Sequence, residues 1–292
     1  MTPEFAPPSD SARPLWPIWA GEAPPAEAGD WPAAAGFKGT FGEICLLPGA
    51  GGVAGALLGL GPRAEAGRHR FALARAQALP RGDWRLAAVP EGVDPEEAAL
   101  GWLLGGYRFT RYKGAPAEGP RLVAPDGVDA ARLTAIARAE FLTRDLINTP
   151  ASDMGPAQLE AAARALAERI GARIEVTTGD ELLAGNLPLI HTVGRAAAEA
   201  PRLIDIRLGD AGPLLALVGK GVCFDTGGLD LKPAASMALM KKDMGGAATA
   251  LGLLAMLADT GAAKGRRIRL LIPAVENSVA GNAFRPGDIL TS

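Results

Sequence analysis

Lysines and aspartates recur in one glycine-rich stretch of the sequence, residues 218–246, which reads VGKGVCFDTGGLDLKPAASMALMKKDMGG. The charged positions considered as candidates are Lys220, Asp225, Asp230, Lys232 and Asp243. Carboxylates gathered in a loop at a strand end suit divalent cations. The glycines around them let the backbone come close to a metal or a substrate. The stretch therefore predicts a binding site for a cation or a substrate.

Other motifs for this stretch fail on particular residues. A phosphate-binding Walker A loop requires glycine and Ser/Thr where Leu214 and Gly221 stand, and Phe224 takes the place of the third glycine of a dinucleotide fingerprint. No GxSxG motif of a serine hydrolase is present. Cys223 has no histidine near it in sequence, so we interpret it as a small buried strand residue, with a cysteine-based hydrolase as a rival hypothesis.

Composition restricts the class of protein. The 292 residues predict about two domains, and 30 basic against 32 acidic residues give a net charge of −2, which argues against a nucleic-acid partner. The longest uncharged apolar run near the carboxyl end, Met244–Ala258, is shorter than the roughly 18 residues of a membrane span. Two cysteines cannot form a disulfide framework, so we expect a cytoplasmic protein.

The elements that must position the site alternate between strands and helices. In the first half we expect an irregular Pro-rich arm over residues 1–36, a hairpin of 42–47 with 53–60, strands at 86–89 and 122–123, and a helix from Pro95. Helices are expected from Asp129 to about Ile147, from Pro156 to Gly171 and over 245–258. Strands are expected at 174–177, 187–192, 203–207, 214–218 (buried) and 268–273. This order predicts an α/β sandwich in the second half.

The stretch 218–246 closely resembles the signature core of the leucyl (cytosol) aminopeptidase family, which are dinuclear-metal exopeptidases. Lys220, Asp225, Lys232 and Asp243 match the core at spacings of 5, 7 and 11 residues. Flanking matches occur at 107–113, 148–156, 275–277 and 285–288, so the resemblance covers roughly residues 98–292. It implies an α/β protein with a small N-terminal α/β domain (1–126), a connecting helix (127–147) and the first part of a three-layer metallopeptidase domain with a mixed sheet (148–292).

The resemblance also implies roles for individual residues. Lys220, Asp225 and Asp243 would bind metal, Lys232 would be the catalytic residue that stabilises the oxyanion, and Met240 would line a pocket for apolar, leucine-like side chains. The implied cofactors are two divalent metal ions, zinc or manganese. The implied partners are peptide substrates and further copies of the chain in a homo-hexamer.

One family motif is missing from the sequence. The remaining metal ligands, and an arginine that would hold bicarbonate in the intact enzyme, lie in a later Asn-Thr-Asp-Ala-Glu-Gly-Arg segment that these residues do not contain. We therefore expect a C-terminal segment to complete the catalytic domain, and Ile289 and Leu290 to open a strand of it. The function that follows is a metal-dependent aminopeptidase, with a non-catalytic structural or assembly protein of the same fold as the alternative.

Structural roles compete for the same residues. Asp225 could cap the Gly227–Gly228 turn, and Asp243 could also cap the helix that starts at Gly245. Asp230 and Lys242 are expected to be structural or solvated, and Lys241 is expected at the surface. His69 and His191 are not expected to be ligands.

Overall fold

The computed structural model describes residues 2–114 and 118–290. Its contacts divide the chain into two compact units, Met1–Arg138 and Ala139–Ser292. The division falls inside a long helix. The expected domain limits at 126 and 147 lie near the two ends of that helix and stay a prediction.

The first unit contains a five-stranded sheet. Its strands are β1 (Arg13–Ile18), β2 (Ile44–Gly49), β3 (Gly52–Gly59), β4 (Gly82–Leu86) and β5 (Pro120–Leu122), in the order β2-β3-β1-β4-β5. Strand β2 pairs antiparallel with β3, and the other pairs are parallel. The expected hairpin is therefore confirmed as β2 and β3.

Two expectations for this unit are wrong. The arm over residues 1–36 is not irregular throughout, because β1 is the central strand of the sheet and its Leu15 is fully buried. Prolines at positions 14 and 17 hide this strand from a sequence pattern, since proline is normally found at sheet edges. The strand expected at 86–89 lies earlier, at β4, where Trp84 is fully buried.

Both units contain helices. They are α1 (Trp31–Ala34), α2 (Pro95–Gly105), α3 (Ala130–Asn148), α4 (Pro156–Ile170), α5 (Glu181–Ala184), α6 (Pro188–Gly194), α7 (Ala234–Met237) and α8 (Gly245–Asp259). Asp94 begins α2 because its side chain accepts hydrogen bonds from the Glu96 and Glu97 amides. The expected helices from Pro95, from Asp129, from Pro156 and over 245–258 are confirmed. None of the helices in the described part of the chain is long and apolar enough to cross a membrane.

The second unit contains a mixed sheet. Its strands are β6 (Arg173–Thr178), β7 (Arg202–Leu208), β8 (Leu214–Val218), β9 (Gly221–Asp225) and β10 (Arg267–Asn277). Strands β6 and β7 are antiparallel neighbours, β7 pairs antiparallel with β10, and both β8 and β9 pair parallel with β10. The α/β fold class with a mixed sheet is therefore confirmed.

One face of this sheet is buried against α4 and α8. Leu159 and Leu166 of α4 and Leu251 and Leu254 of α8 belong to one buried apolar cluster that also contains Ile204 of β7. The residues on alternate positions of β8 are not buried: Leu214 is 56% exposed and Val218 is 72% exposed. The strand at 214–218 forms as expected, but the expectation that it is buried is wrong.

Two further segments differ from expectation. Residues 187–192 are not a strand, because Pro188 begins α6, where its fixed φ suits the first turn of a helix. Ile289 and Leu290, expected to open a strand, have no regular structure and are exposed.

Candidate metal centre and active site

The residues between β8 and β9 bring Lys220 to the start of α8. Both strands pair with the same edge of β10, with Val218 opposite Leu271 and Gly221 opposite Ala274. The Lys220 carbonyl accepts a hydrogen bond from the Ala247 amide at 2.8 Å. A Cβ at Gly219 would lie 2.6 Å from the Ala247 Cα, so only glycine permits this approach.

Lys220 and Asp243 form the first charged pair of the site. The Lys220 Nζ lies 2.8 Å from the Asp243 Oδ1. Asp243 belongs to a 3-10 helix, Met240–Met244, that leads into α8. Its Oδ2 is buried and accepts no hydrogen bond from the residues that the structure describes. The expectation that Asp243 caps α8 is wrong, because in the described part of the chain its Oδ1 is bonded to Lys220 and its Oδ2 to no amide at the start of that helix.

Asp225 and Lys232 form the second charged pair. The Lys232 Nζ lies 2.9 Å from the Asp225 Oδ2. The Asp225 Oδ1 accepts hydrogen bonds from the Gly227 amide at 2.9 Å and from the Asn277 Nδ2 at 2.7 Å. The expected turn-capping role of Asp225 is thus present, together with the ion pair.

These contacts keep both members of the second pair charged. Burial opposes ionisation of Asp225, but hydrogen bonds from Lys232, Gly227 and Asn277 outweigh it and lower the pKa of the carboxyl. The hydrogen bond to Asp225 raises the pKa of Lys232, with a smaller contribution from the negative charge of Asp243. That contribution links the two charged pairs electrostatically.

An open cavity of about 410 Å³ lies over the second pair. It is lined by Asp225, Gly227, Asp230, Leu231, Lys232, Pro233 and Asn277. The loop that forms it turns at Gly227 and Gly228, both with positive φ, and the Lys232 amide donates to the Thr226 carbonyl. Met240 begins the 3-10 helix, is half-buried and does not line this cavity. Its role in a substrate pocket stays a prediction.

The donor set fits a divalent metal in one respect that the structure shows directly. The buried, unsatisfied Asp243 Oδ2 is a carboxylate oxygen with no donor, which a cation would satisfy. Among the described residues, no cluster of three or more His, Cys, Asp or Glu side chains could hold a metal. The candidate donors of this site are two carboxylates, Asp225 and Asp243, and one lysine, Lys220. A lysine is not one of the four residue types in such a cluster.

Two residues of the site region were assigned no role from sequence. Asn277 contacts Asp225, as described above. Lys241, expected at the surface, is half-buried and donates from Nζ to the Asn148 carbonyl at 2.8 Å. No local sequence pattern predicts either contact, because each joins residues that lie far apart in the sequence.

Cys223 does not have the surroundings of a nucleophile. It is 1% exposed, and burial, together with the negative charges of Glu276 and Glu199, strongly raises the pKa of its thiol. The thiolate that a cysteine-based hydrolase requires is therefore disfavoured.

The chain resembles known proteins over both units. A family model described as "Cytosol aminopeptidase family, catalytic domain" matches residues 141–292, and one described as "M17 aminopeptidase, N-terminal domain" matches residues 16–125. A probable cytosol aminopeptidase of Nitratidesulfovibrio vulgaris is 37% identical over 91% of this chain and 60% of its own length. One of Leifsonia xyli is 37% identical over 88% of this chain and 55% of its own length.

Solved structures agree with these matches. The cytosol aminopeptidase of Coxiella burnetii is 38% identical and superposes with a TM-score of 0.84, over 97% of this chain and 62% of that one. The bottromycin maturation enzyme BotP, solved in complex with Mn, is 33% identical with a TM-score of 0.79, over 95% of this chain and 62% of that one. This chain therefore spans about 60% of the length of the relatives that it matches.

Lys241→Met should destabilise the second unit, because the substitution leaves the carbonyl at the C-terminal end of α3 without its cationic donor. We expect a loss of about 1–2 kcal/mol in the free energy of unfolding, measured by urea denaturation. Lys242→Met is the matched control, since the neighbouring Lys242 is exposed. Equal stability of the two variants would contradict the anchoring role of Lys241.

Proposed function

The chain belongs to the cytosol aminopeptidase family, and on that premise we propose that the full-length protein is a metal-dependent aminopeptidase that releases N-terminal residues, preferably apolar ones, from peptides. The observation that carries the proposal is the presence of two lysine–aspartate pairs, Lys220–Asp243 and Lys232–Asp225. The second pair lines an open cavity, and the charge of Asp243 acts on Lys232. Because the chain spans about 60% of its relatives, the activity is proposed for the whole protein.

Lys220, Asp225 and Asp243 are the residues of this chain that would hold divalent metal. A bound divalent ion supplies Lewis-acid polarisation of a peptide carbonyl and lowers the pKa of water toward neutrality. The Mn complex of BotP supports manganese as one such ion. Zinc stays the other candidate, and bicarbonate would depend on an arginine that these residues do not include.

Lys232 is the proposed catalytic residue. Its ammonium lies at the cavity surface, and its pairing with Asp225 keeps it protonated, so it can donate hydrogen bonds to an oxyanion that develops on the scissile carbonyl. Asp225 also fixes the direction of the ammonium through the 2.9 Å contact. The pair is therefore arranged before the substrate binds, which is the condition for electrostatic stabilisation.

The preference for apolar residues rests on Met240 and on the apolar surface near it. Leu231 lines the cavity and is 57% exposed, and Leu239, next to Met240, is 63% exposed. Exposed leucines of this kind suit a leucine-like side chain.

A further C-terminal segment is proposed to complete the second unit. Strand β8 pairs only with β10 among the described strands, and its Leu214 and Val218 stand open to solvent. The relatives are longer than this chain, which supports a covering segment. Assembly as a homo-hexamer and a cytoplasmic location belong to the same proposal, the latter supported by the word "cytosol" in the names of the relatives.

The proposed function predicts hydrolysis of leucine amide by the full-length protein. A chelator should abolish turnover and added Mn²⁺ should restore it, whereas thiol alkylation should leave it unchanged because Cys223 is buried. Aspartate amide is the substrate control and should be cleaved more slowly. Loss on alkylation but not on chelation would favour a cysteine-based hydrolase, and no turnover in any condition would favour a structural or assembly protein.

Lys232→Ala in the full-length protein should lower kcat for leucine amide by about 10²–10³-fold, because one preorganised donor to the oxyanion is removed. Metal content, measured by elemental analysis, should stay at the level of the parent protein. Lys242→Ala is the control for loss of a lysine outside the cavity. Unchanged turnover in the Lys232 variant would remove it from the mechanism.

Residues 1–292 purified alone should unfold more readily than the full-length protein and should not hold two metal ions tightly. Three side chains cannot fill two metal coordination shells of about four to six positions each. Hydrogen exchange should also find the amides of β8 less protected in the shorter chain. A stable monomer with two tightly bound metals and full activity would overturn the proposed C-terminal segment.

A further inference from the structure

Asn277 makes three hydrogen bonds to the segment that carries Asp225. Its Nδ2 donates to the Asp225 Oδ1 at 2.7 Å. Its carbonyl accepts from the Thr226 amide at 3.0 Å and from the Thr226 Oγ1 at 2.9 Å. The last residue of β10 therefore contacts both the side chain of Asp225 and the backbone that follows it.

These contacts fix the orientation of the Asp225 carboxylate. The Oδ1 receives two N–H donors, from Asn277 and from the Gly227 amide. The partner of Oδ2 among the described residues is the ammonium of Lys232. Rotation of the carboxylate would break both bonds to Oδ1. The Oδ2 is thereby held in the direction of Lys232 and the cavity.

Asn277 is itself held by a buried ion pair on the residue before it. Glu276 is 3% exposed, and both its carboxylate oxygens accept from Arg285 at 2.6 Å. The Asp288 carboxylate accepts from the Arg285 amide and from the Ser152 amide, so the loop after β10 is tied to the segment before α4. A buried network of paired charges restricts the end of β10 to a single conformation.

We propose that Asn277 is a positioning residue that holds Asp225 in the orientation required to bind metal. The effect on metal binding rests on the proposed function. The contact between Asn277 and Asp225 does not depend on metal. Asn277 acts through Asp225 and contributes no ligand. Residues that hydrogen-bond to a metal ligand commonly change metal affinity by about 10–100-fold when they are removed.

The test compares Asn277→Ala with the parent full-length protein by calorimetric titration with Mn²⁺ alone. We expect binding weaker by about tenfold or more, at a temperature where both proteins are folded. Asn282→Ala is the matched control, because Asn282 is exposed and close in sequence. Binding by Asn277→Ala equal to that of the parent would overturn the inference, since a structural role alone would change stability and not affinity.

A second measurement without metal keeps the two proposals distinguishable. Asn277→Asp preserves the shape of the side chain but places an acceptor against the Asp225 Oδ1, so it should lower Tm in the presence of a chelator. That loss should shrink when Asp225→Ala is also present, because the repulsion is removed. Additive changes in Tm would overturn the inference. Coupling in Tm, with no Mn²⁺ bound by the parent, would support the contact and overturn the proposed metal site and its consequence.

Discussion

The pairing of one long strand with two short ones is the constraint on which the candidate site depends. Strand β10 has eleven residues, and β8 and β9 share its edge in succession. The chain must therefore break between them, and the break is where Lys220 meets the first turn of α8. At the far end of the same edge, Asp225 faces Asn277. Lys220 of the first charged pair comes just before β9, and Asp225 of the second pair is its last residue. The pairing of β9 with β10 therefore positions both.

Charge balance accounts for the pairing of the charged side chains in the site. Two carboxylates would repel each other if they were left alone in a partly buried loop, and each is paired with an ammonium instead. Asp225 is satisfied by three donors, whereas Asp243 keeps one buried oxygen without any. A divalent metal bound by Lys220 would have to displace a proton from its ammonium, so binding would replace one positive charge by two beside the Asp243 carboxylate. The Asp243 carboxylate therefore has a positive partner in either case, the Lys220 ammonium in the ion pair or a bound metal ion.

The second unit is closed on one face of its sheet and open on the other. Helices α4 and α8 bury the alternate apolar residues of β7 and β10, including Ile204 and Leu270. On the opposite side, Leu214 and Val218 remain exposed beside a charged group in which Arg207 and Arg269 bond to Asp205. Apolar exposure of this size on a strand requires cover, because water around apolar surface is unfavourable. The chain spans about 60% of the length of its relatives, and the C-terminal segment proposed above would supply that cover.

Local patterns in the sequence determined the helices, the hairpin and the family. The apolar periods of α3, α4 and α8 and the turn between β2 and β3 depend on residues a few positions apart. The lysine–aspartate spacing carries the family resemblance and predicts the core of the site. Patterns failed at β1, where two prolines obscure a central strand, and at α6, where six apolar-rich residues fit either period. Only the tertiary structure decided which partners meet: Asn277 lies 52 positions from Asp225, and Lys241 lies 93 from Asn148. Such contacts are set by strand register and helix packing, so no local spacing in the sequence encodes them.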